Sequence, residues 1–138
     1  MKTYQHTQRG KWILIVMSIM SAVFIIFGAT LARTMLIPVP LLIGTGWLFH
    51  SLTIEIGDGE LRWRFGPGLI RKRVALAEIT DAQQVRTNTL EGWGIHMSRF
   101  GCLYNISGRD AIAFTLRSGK RFALGTDEPG KLLELFAQ

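Results

Sequence analysis

Hydrophobic and polar positions divide the chain into an apolar front part and an alternating back part. Residues 12–32 contain no charged side chain, and 21 residues at about 1.5 Å each span the ~30 Å core of a bilayer as a helix. A second apolar run covers about 35–50, with Pro38 and Pro40 where the first turn of a helix tolerates proline. The pattern predicts a membrane helical hairpin over 12–50, with arms at 12–32 and about 35–50, behind a basic tail at 1–11.

Two other interpretations of the apolar runs stay open. A cleaved signal peptide has an apolar core of only ~7–15 residues that ends in small residues, so the length of 12–32 argues against cleavage. The second run is weaker, because a helix from about Pro38 to His50 covers only about 20 Å. A re-entrant or monotopic hairpin is therefore the alternative to a full second crossing.

From residue 51 onward, apolar and polar residues alternate in short runs, which is typical of antiparallel strands. Asp58-Gly59 is a strong hairpin signal, and a two-residue turn there pairs Leu52 with Phe65. A four-residue loop at 66–69 then places Phe65 opposite Ile70. The agreement between the turn and the alternation predicts one register for three consecutive strands.

Later segments complete an α+β plan. The pattern predicts a strand at 79–87, one or two strands within 95–107, and a hairpin at 112–124 that pairs Phe114 with Phe122. Leu132, Leu133 and Phe136 form the apolar stripe of a short final helix. About seven antiparallel strands and one C-terminal helix are expected in residues 51–138.

The predicted register brings four arginines to one outer face, with Arg64 opposite Arg71 and Arg62 opposite Arg73. Like charges directly opposite each other destabilise a sheet. One interpretation is a solvated surface on which the long side chains spread apart. The other is an anion site, most simply for lipid phosphate, because the loop at 66–69 returns toward the membrane. These four arginines are the candidate lipid- or anion-binding residues.

The charge distribution suggests an orientation in the membrane. The net charge is +6 and the mean hydropathy is +0.23; the first 54 residues carry four bases and no acid, and all ten acids follow. The bases flank the apolar runs, and the predicted turn between the arms carries Arg33 alone. The positive-inside rule therefore predicts both termini in the cytoplasm at a bacterial inner membrane. Anionic lipid explains the basic flanks more simply than nucleic acid does. Salt-dependent binding of oligonucleotides would support nucleic-acid binding instead.

An ordered set of turn and core motifs follows the apolar hairpin. The set consists of Leu52–Phe65 with the break Gly66-Pro67-Gly68, Leu76-Ala77-Glu78-Ile79, Gly92-Trp93-Gly94-Ile95, Tyr104-Asn105 with Gly108, Ala111-Ile112 with Ser118-Gly119-Lys120, and Gly125-Thr126-Asp127-Glu128-Pro129. Over roughly residues 50–138 the chain thereby resembles the bacterial pleckstrin-homology-like (PH-like) membrane proteins.

The resemblance implies a PH-like domain at 51–138. Its expected fold is a partly open barrel of two nearly orthogonal sheets, capped at one end by the C-terminal helix. It also implies a membrane-tethered binding or scaffold role with no shared enzymatic activity. Phosphoinositide binding is not carried over, because no residue here matches a settled ligand motif.

The chemistry of an enzyme is missing from the sequence pattern. There is no P-loop, GxGxxG, HExxH or GxSxG, and the lone Cys102 excludes a disulfide framework. We therefore predict no catalytic residues, metal, cofactor or small-molecule substrate. Trp93, in a glycine-rich loop, and the nearby His96 are weaker candidates for a partner surface.

The predicted function is a membrane-anchored scaffold that contacts anionic lipid headgroups, protein partners or both. The alternative is a small structural subunit of an envelope or transport complex, in which the helical hairpin is the main interface. A co-purifying membrane protein would favour that alternative.

Overall fold

A computed structural model describes residues 2–87, 94–106 and 108–136 of the 138-residue chain. The elements in chain order are β1 (Lys2–Arg9), α1 (Lys11–Thr30), a 3-10 helix (Arg33–Leu36), α2 (Val39–Leu48), β2 (Ser51–Gly57), β3 (Glu60–Phe65), β4 (Ile70–Ala75), a second 3-10 helix (Leu76–Glu78), β5 (Ile79–Arg86), β6 (Gly94–Ser98), β7 (Gly101–Asn105), β8 (Asp110–Leu116), β9 (Arg121–Gly125) and α3 (Pro129–Glu134). The α+β class predicted from the sequence is confirmed.

The first sheet has the order β1-β2-β3-β4 and begins with a strand that was not predicted from the sequence. Residues 1–11 were expected to form a basic tail, but Lys2–Arg9 pairs antiparallel with β2 from Lys2 opposite Gly57 to Arg9 opposite Ser51. The tail interpretation is therefore corrected for residues 2–9. The two helices form an excursion between two neighbouring, hydrogen-bonded strands.

The register predicted for the next three strands is confirmed. Leu52 pairs with Phe65 across the Asp58-Gly59 turn, and Phe65 pairs with Ile70 across the following loop. Asp58 and Gly59 have φ angles of 54° and 75°, the left-handed pair that a tight hairpin turn requires. Local turn chemistry and alternation therefore determine this half of the fold.

The second sheet has the order β5-β8-β9-β7-β6, and its connectivity is less simple than expected. Phe114 lies opposite Phe122 as predicted, but β7 and β9 run parallel. The expectation of a wholly antiparallel set is therefore corrected at this pair. Between residues 51 and 138 the described segments contain eight strands, not about seven, and the two sheets do not close into one barrel.

The main core lies between the inner faces of the two sheets. Trp63 stacks on Phe122 with ring centroids 4.9 Å apart, and Phe122 stacks in turn on Phe114 at 5.1 Å. From α3, Leu132 is fully buried and joins this core. The final helix thus covers the core as its apolar stripe predicted.

The helical excursion is largely exposed. The 20-residue helix α1 is, among the described residues, the one that is long and apolar enough to cross a membrane, and only 17% of its most apolar window is buried. Helix α2 has 10 residues, which cover about 15 Å. The arms approach closely where glycines permit it: a Cβ on Gly28 would lie 2.4 Å from Leu36, and one on Gly46 would lie 3.4 Å from Met17.

The loop between β3 and β4 packs against the end of α2. Gly66 has a φ of 47°, and a Cβ there would lie 2.5 Å from the carbonyl oxygen of Leu48 and 2.9 Å from that of Trp47. The amide of Gly66 donates a 2.8 Å hydrogen bond to the carbonyl of Ser51. The tip of the β3–β4 hairpin therefore lies beside the point where the helical excursion returns to the sheet.

We expect Gly66→Ala to destabilise the protein more than Gly59→Ala. Both positions have positive φ, which costs an alanine about 1–2 kcal/mol, but a Cβ on Gly59 meets nothing within 4 Å. The contact with the two carbonyls should cost Gly66→Ala roughly 1–3 kcal/mol more. Thermal unfolding of both variants measures the difference. Equal losses of stability would contradict the close packing of this loop on α2.

Candidate anion-binding face

The outer face of the first sheet presents two cross-strand rows of polar side chains. The row nearer the helical hairpin, which we call the hairpin-proximal row, consists of Thr7, Thr53, Arg64 and Arg71. The row farther from the helical hairpin, the hairpin-distal row, consists of Gln5, Glu55, Arg62 and Arg73. The rows lie two residues apart along each strand, which is about 7 Å. The predicted pairing of the four arginines is thus confirmed, and the structure brings all four together.

Six of these eight side chains line an open groove of about 590 Å³. The lining residues, which we call the arginine groove, are Thr53, Glu55, Arg62, Trp63, Arg64, Pro67, Gly68, Arg71, Lys72 and Arg73. Five of them are basic and one is acidic. The groove therefore has the charge and the concave shape that suit an anion.

The hairpin-distal arginines share one carboxylate, Glu60, which pairs closely with Arg62 and more loosely with Arg73. Glu60 accepts from the Nε of Arg62 at 2.8 Å and lies 2.7 Å from its terminal nitrogen. The second oxygen of Glu60 lies 3.9 Å from Arg73. Hydrogen bonding to Glu60, followed by its negative charge, raises the pKa of Arg62. This pair of like charges therefore has its counter-ion within the sheet.

Among the described residues, no carboxylate lies within hydrogen-bonding distance of either hairpin-proximal arginine. Arg64 lies 3.7 Å from Glu55, which is beyond hydrogen-bonding distance, and its side chain is 51% exposed. Arg71 makes no ion pair with any residue in the described segments. Thr53 is 4% exposed, and its hydroxyl shares a 2.9 Å hydrogen bond with that of Thr7. Of the two rows, this one has the arginines with fewer close counter-ions among the described residues.

Of the two residues predicted for a partner surface, the structure describes only one. Trp93 lies outside the described residues. His96 lies on β6, an edge strand of the second sheet, and it does not line the arginine groove. Its Nε2 is buried and has no hydrogen-bond partner among the described residues, and the neighbouring Met97 is 77% exposed.

A second polar cluster, which was not predicted from the sequence, joins β1 to the segment before α3. The two ring nitrogens of His6 face Asp127 and Glu128, and the hydroxyl of Tyr4 donates to Glu128 over 3.4 Å. A salt bridge from Lys131 lowers the pKa of Glu128, with His6 as a further cause. The alternation of Tyr4 and His6 with polar residues was the available signal, but nothing in it identified partners more than 120 positions away.

The geometry of this cluster is that of a structural contact between two parts of the chain. The two carboxylates lie at opposite nitrogens of one imidazole ring, so they do not converge on a common point. Among the described residues no group of three or more His, Cys, Asp or Glu side chains is arranged to hold a metal ion. The cluster instead ties the strand that leads into α1 to the C-terminal part of the chain.

Comparison with known proteins adds no relative: no family model, no curated protein and no solved structure matches this chain.

We expect Tyr4 to ionise at about pH 12 in the folded protein, because burial and then the Glu128 carboxylate raise its pKa to about 12. The chain has two tyrosines, so a Tyr104→Phe variant reports Tyr4 alone by tyrosinate absorbance. An unfolded tyrosine ionises near pH 10. The stabilising contribution of Tyr4 is therefore complete below about pH 10 and is lost as the pH rises through about 12.

Adding Glu128→Gln to that variant should lower the pKa of Tyr4, because it removes the carboxylate charge and keeps a hydrogen-bonding side chain. An unchanged pKa of Tyr4 after Glu128→Gln would contradict this contact. In the Tyr104→Phe variant alone, ionisation of Tyr4 near pH 10 while the circular dichroism is still that of the folded protein would contradict the raised pKa.

Proposed function

We propose that the protein is a membrane-anchored PH-like scaffold at the inner face of a bacterial membrane. Its helical hairpin lies in the bilayer, and its β-rich domain binds protein partners and anionic lipid headgroups beside the membrane. The function proposed is one of binding and recruitment, without catalysis.

The single observation that carries this proposal is the insertion of both helices between two paired strands. Arg9 pairs with Ser51, and the amide of Gly10 donates a 2.7 Å hydrogen bond to the carbonyl of His50. The chain therefore enters and leaves the helical excursion at one place. A chain that crosses a bilayer once would separate β1 from β2, so this pairing supports a hairpin with both ends on one side.

The exposure of the helices supports a lipid environment for them. Apolar side chains all along α1 are exposed, including Trp12 at 59%, Ile19 at 59% and Ile26 at 61%. A helix that serves as the core of a soluble domain buries such residues. Because β1 precedes α1 and belongs to the sheet, the arrangement also favours a retained anchor over a cleaved signal peptide.

The distribution of basic residues supports a cytoplasmic domain. Arg9 and Lys11 adjoin the start of α1 on the side of the sheet, and the hairpin-proximal arginines lie on that side too. The turn between the arms has Arg33 alone. Basic residues favour the cytoplasmic side of a membrane.

The PH-like part of the proposal rests on the two facing sheets and on α3, which covers the core between them. The parallel pair of β7 and β9 is a departure from an all-antiparallel plan. It affects the second sheet and leaves the arginine groove, on the first sheet, unchanged.

The topology is tested by labelling single cysteines in sealed cells with a membrane-impermeant maleimide. In a Cys102→Ser background, Thr34→Cys reports the turn, Gln5→Cys reports β1 and Ser118→Cys reports the domain. We expect labelling of Thr34→Cys from outside, and of the other two only after the cells are permeabilised.

The other labelling patterns have definite meanings. External labelling of Ser118→Cys would contradict the cytoplasmic domain. Labelling of Gln5→Cys and Ser118→Cys from opposite sides would contradict the hairpin. If Thr34→Cys reacts only after detergent is added, the arms do not cross and the anchor is monotopic.

A second candidate function, a structural subunit of a membrane complex, is favoured by a groove between the arms. This groove of about 600 Å³ is mostly apolar and lies beside Met17, Ser21 and Gly46. Crosslinking in native membranes followed by mass spectrometry distinguishes the two candidates. Crosslinks from the hairpin alone favour a subunit, and crosslinks from the β-rich domain favour a scaffold.

A further inference from the structure

The two pairs of opposed arginines differ in what neutralises them. In the hairpin-distal pair, Glu60 lies within 2.7 Å of Arg62 and 3.9 Å of Arg73. In the hairpin-proximal pair, one carboxylate lies 3.7 Å from Arg64, and Arg71 makes no ion pair within the described residues. Directly opposed like charges destabilise a sheet. An anion that binds between Arg64 and Arg71 relieves a repulsion that the protein itself leaves in place.

We propose that Arg64, Arg71 and Thr53 form a binding site for a phosphate monoester, supplied by the headgroup of a membrane lipid. We call these three residues the phosphate site. The inference deepens the proposed function and rests on it for the lipid as the source. The chemistry of the site itself does not depend on the membrane.

The geometry suits a phosphate. Directly opposed residues on adjacent strands have Cβ atoms about 5 Å apart, so two guanidinium groups can reach one anion between them. Each guanidinium presents parallel donors to two phosphate oxygens. A monoester carries between one and two negative charges near neutral pH, which matches two arginines.

The floor of the site is polar and buried. Thr53 lines the groove at 4% exposure, and its hydroxyl can donate to a phosphate while it accepts from Thr7. The aliphatic part of Arg64 lies along the β3–β4 loop, with its Cδ 3.8 Å from where a Cβ on Gly68 would be. Glu55 weakens the binding of an anion, but it is one carboxylate against the two arginines of the site.

The place of the site in the molecule favours a lipid. The loop at 66–69 packs on the last turn of α2, and Leu69 within it is 73% exposed. With the hairpin in a bilayer, this loop lies at the level of the headgroups and Leu69 can enter the interface. The hairpin-proximal row is then the nearest part of the outer face to the lipid phosphates.

The test uses the full chain in a neutral detergent, titrated with short-chain phosphatidic acid and followed by thermal unfolding and by the binding isotherm. Short-chain phosphatidylcholine and inorganic phosphate are the comparison ligands. The variants are Arg64→Ala with Arg71→Ala, and the matched control Arg62→Ala with Arg73→Ala, which removes the same charge from the same face.

We expect phosphatidic acid, and not phosphatidylcholine, to stabilise the wild type. At about 1 kcal/mol for each base near an anion, the loss of Arg64 and Arg71 should weaken binding roughly 30-fold, and the control should weaken it much less. Without ligand, the hairpin-proximal variant should unfold at the same temperature as the wild type or higher, because a repulsion is gone. Lysine at both positions should rescue binding in part, since it keeps the charge without the paired donors.

Several results would overturn the proposal. Equal losses in the two variants would mean a diffuse basic surface instead of a site, and no preference for phosphatidic acid over phosphatidylcholine would exclude the monoester. Inorganic phosphate that binds as tightly as phosphatidic acid, with the same dependence on Arg64 and Arg71, would keep the site and remove the lipid as its source. The cysteine labelling reports the anchor independently, so a failed phosphate site and a failed topology are distinguishable.

Discussion

The pairing of β1 with β2 is the constraint on which the rest of the structure depends. Main-chain hydrogen bonds join Lys2–Arg9 to Ser51–Gly57, and the helical hairpin leaves and re-enters the sheet between them. This closes the base of the excursion, with Gly10 bonded to His50. The hairpin and the domain are thereby connected by two strands instead of one linker, and the outer face of the sheet has a definite position relative to α2.

Charge on that outer face follows from the same arrangement. Alternation sends the apolar residues of β2 and β3 into the core and sends the arginines outward, where antiparallel pairing sets them opposite each other. Glu60, beyond the distal pair, offsets two of them. The result is a gradient along the strands, with the carboxylates concentrated away from the helical hairpin and less compensated arginines beside it. In the membrane arrangement that we propose, the proximal end of that gradient is the end nearest the headgroup layer.

The sequence predicted those parts of the fold and of the site that depend on neighbours along the chain. The Asp58-Gly59 turn and the alternation around it were sufficient for the register of three strands, and so for the pairing of Arg64 with Arg71. Neither the strand character of Lys2–Arg9 nor the counter-ion role of Glu60 was predicted. The first was hidden because that segment is short and polar, and its partner follows a helical excursion of some forty residues.

What the sequence determined by itself is therefore local: two apolar runs, tight turns at glycines, and strands whose two faces differ in polarity, because each of these depends on residues a few positions apart. The tertiary structure alone decided the rest. It paired β1 with β2, ran β7 parallel to β9, joined His6 to the segment before α3, and laid the β3–β4 loop on the end of α2. Those contacts join residues that are distant in the chain, and their free energy depends on packing and hydrogen bonding that no local pattern specifies.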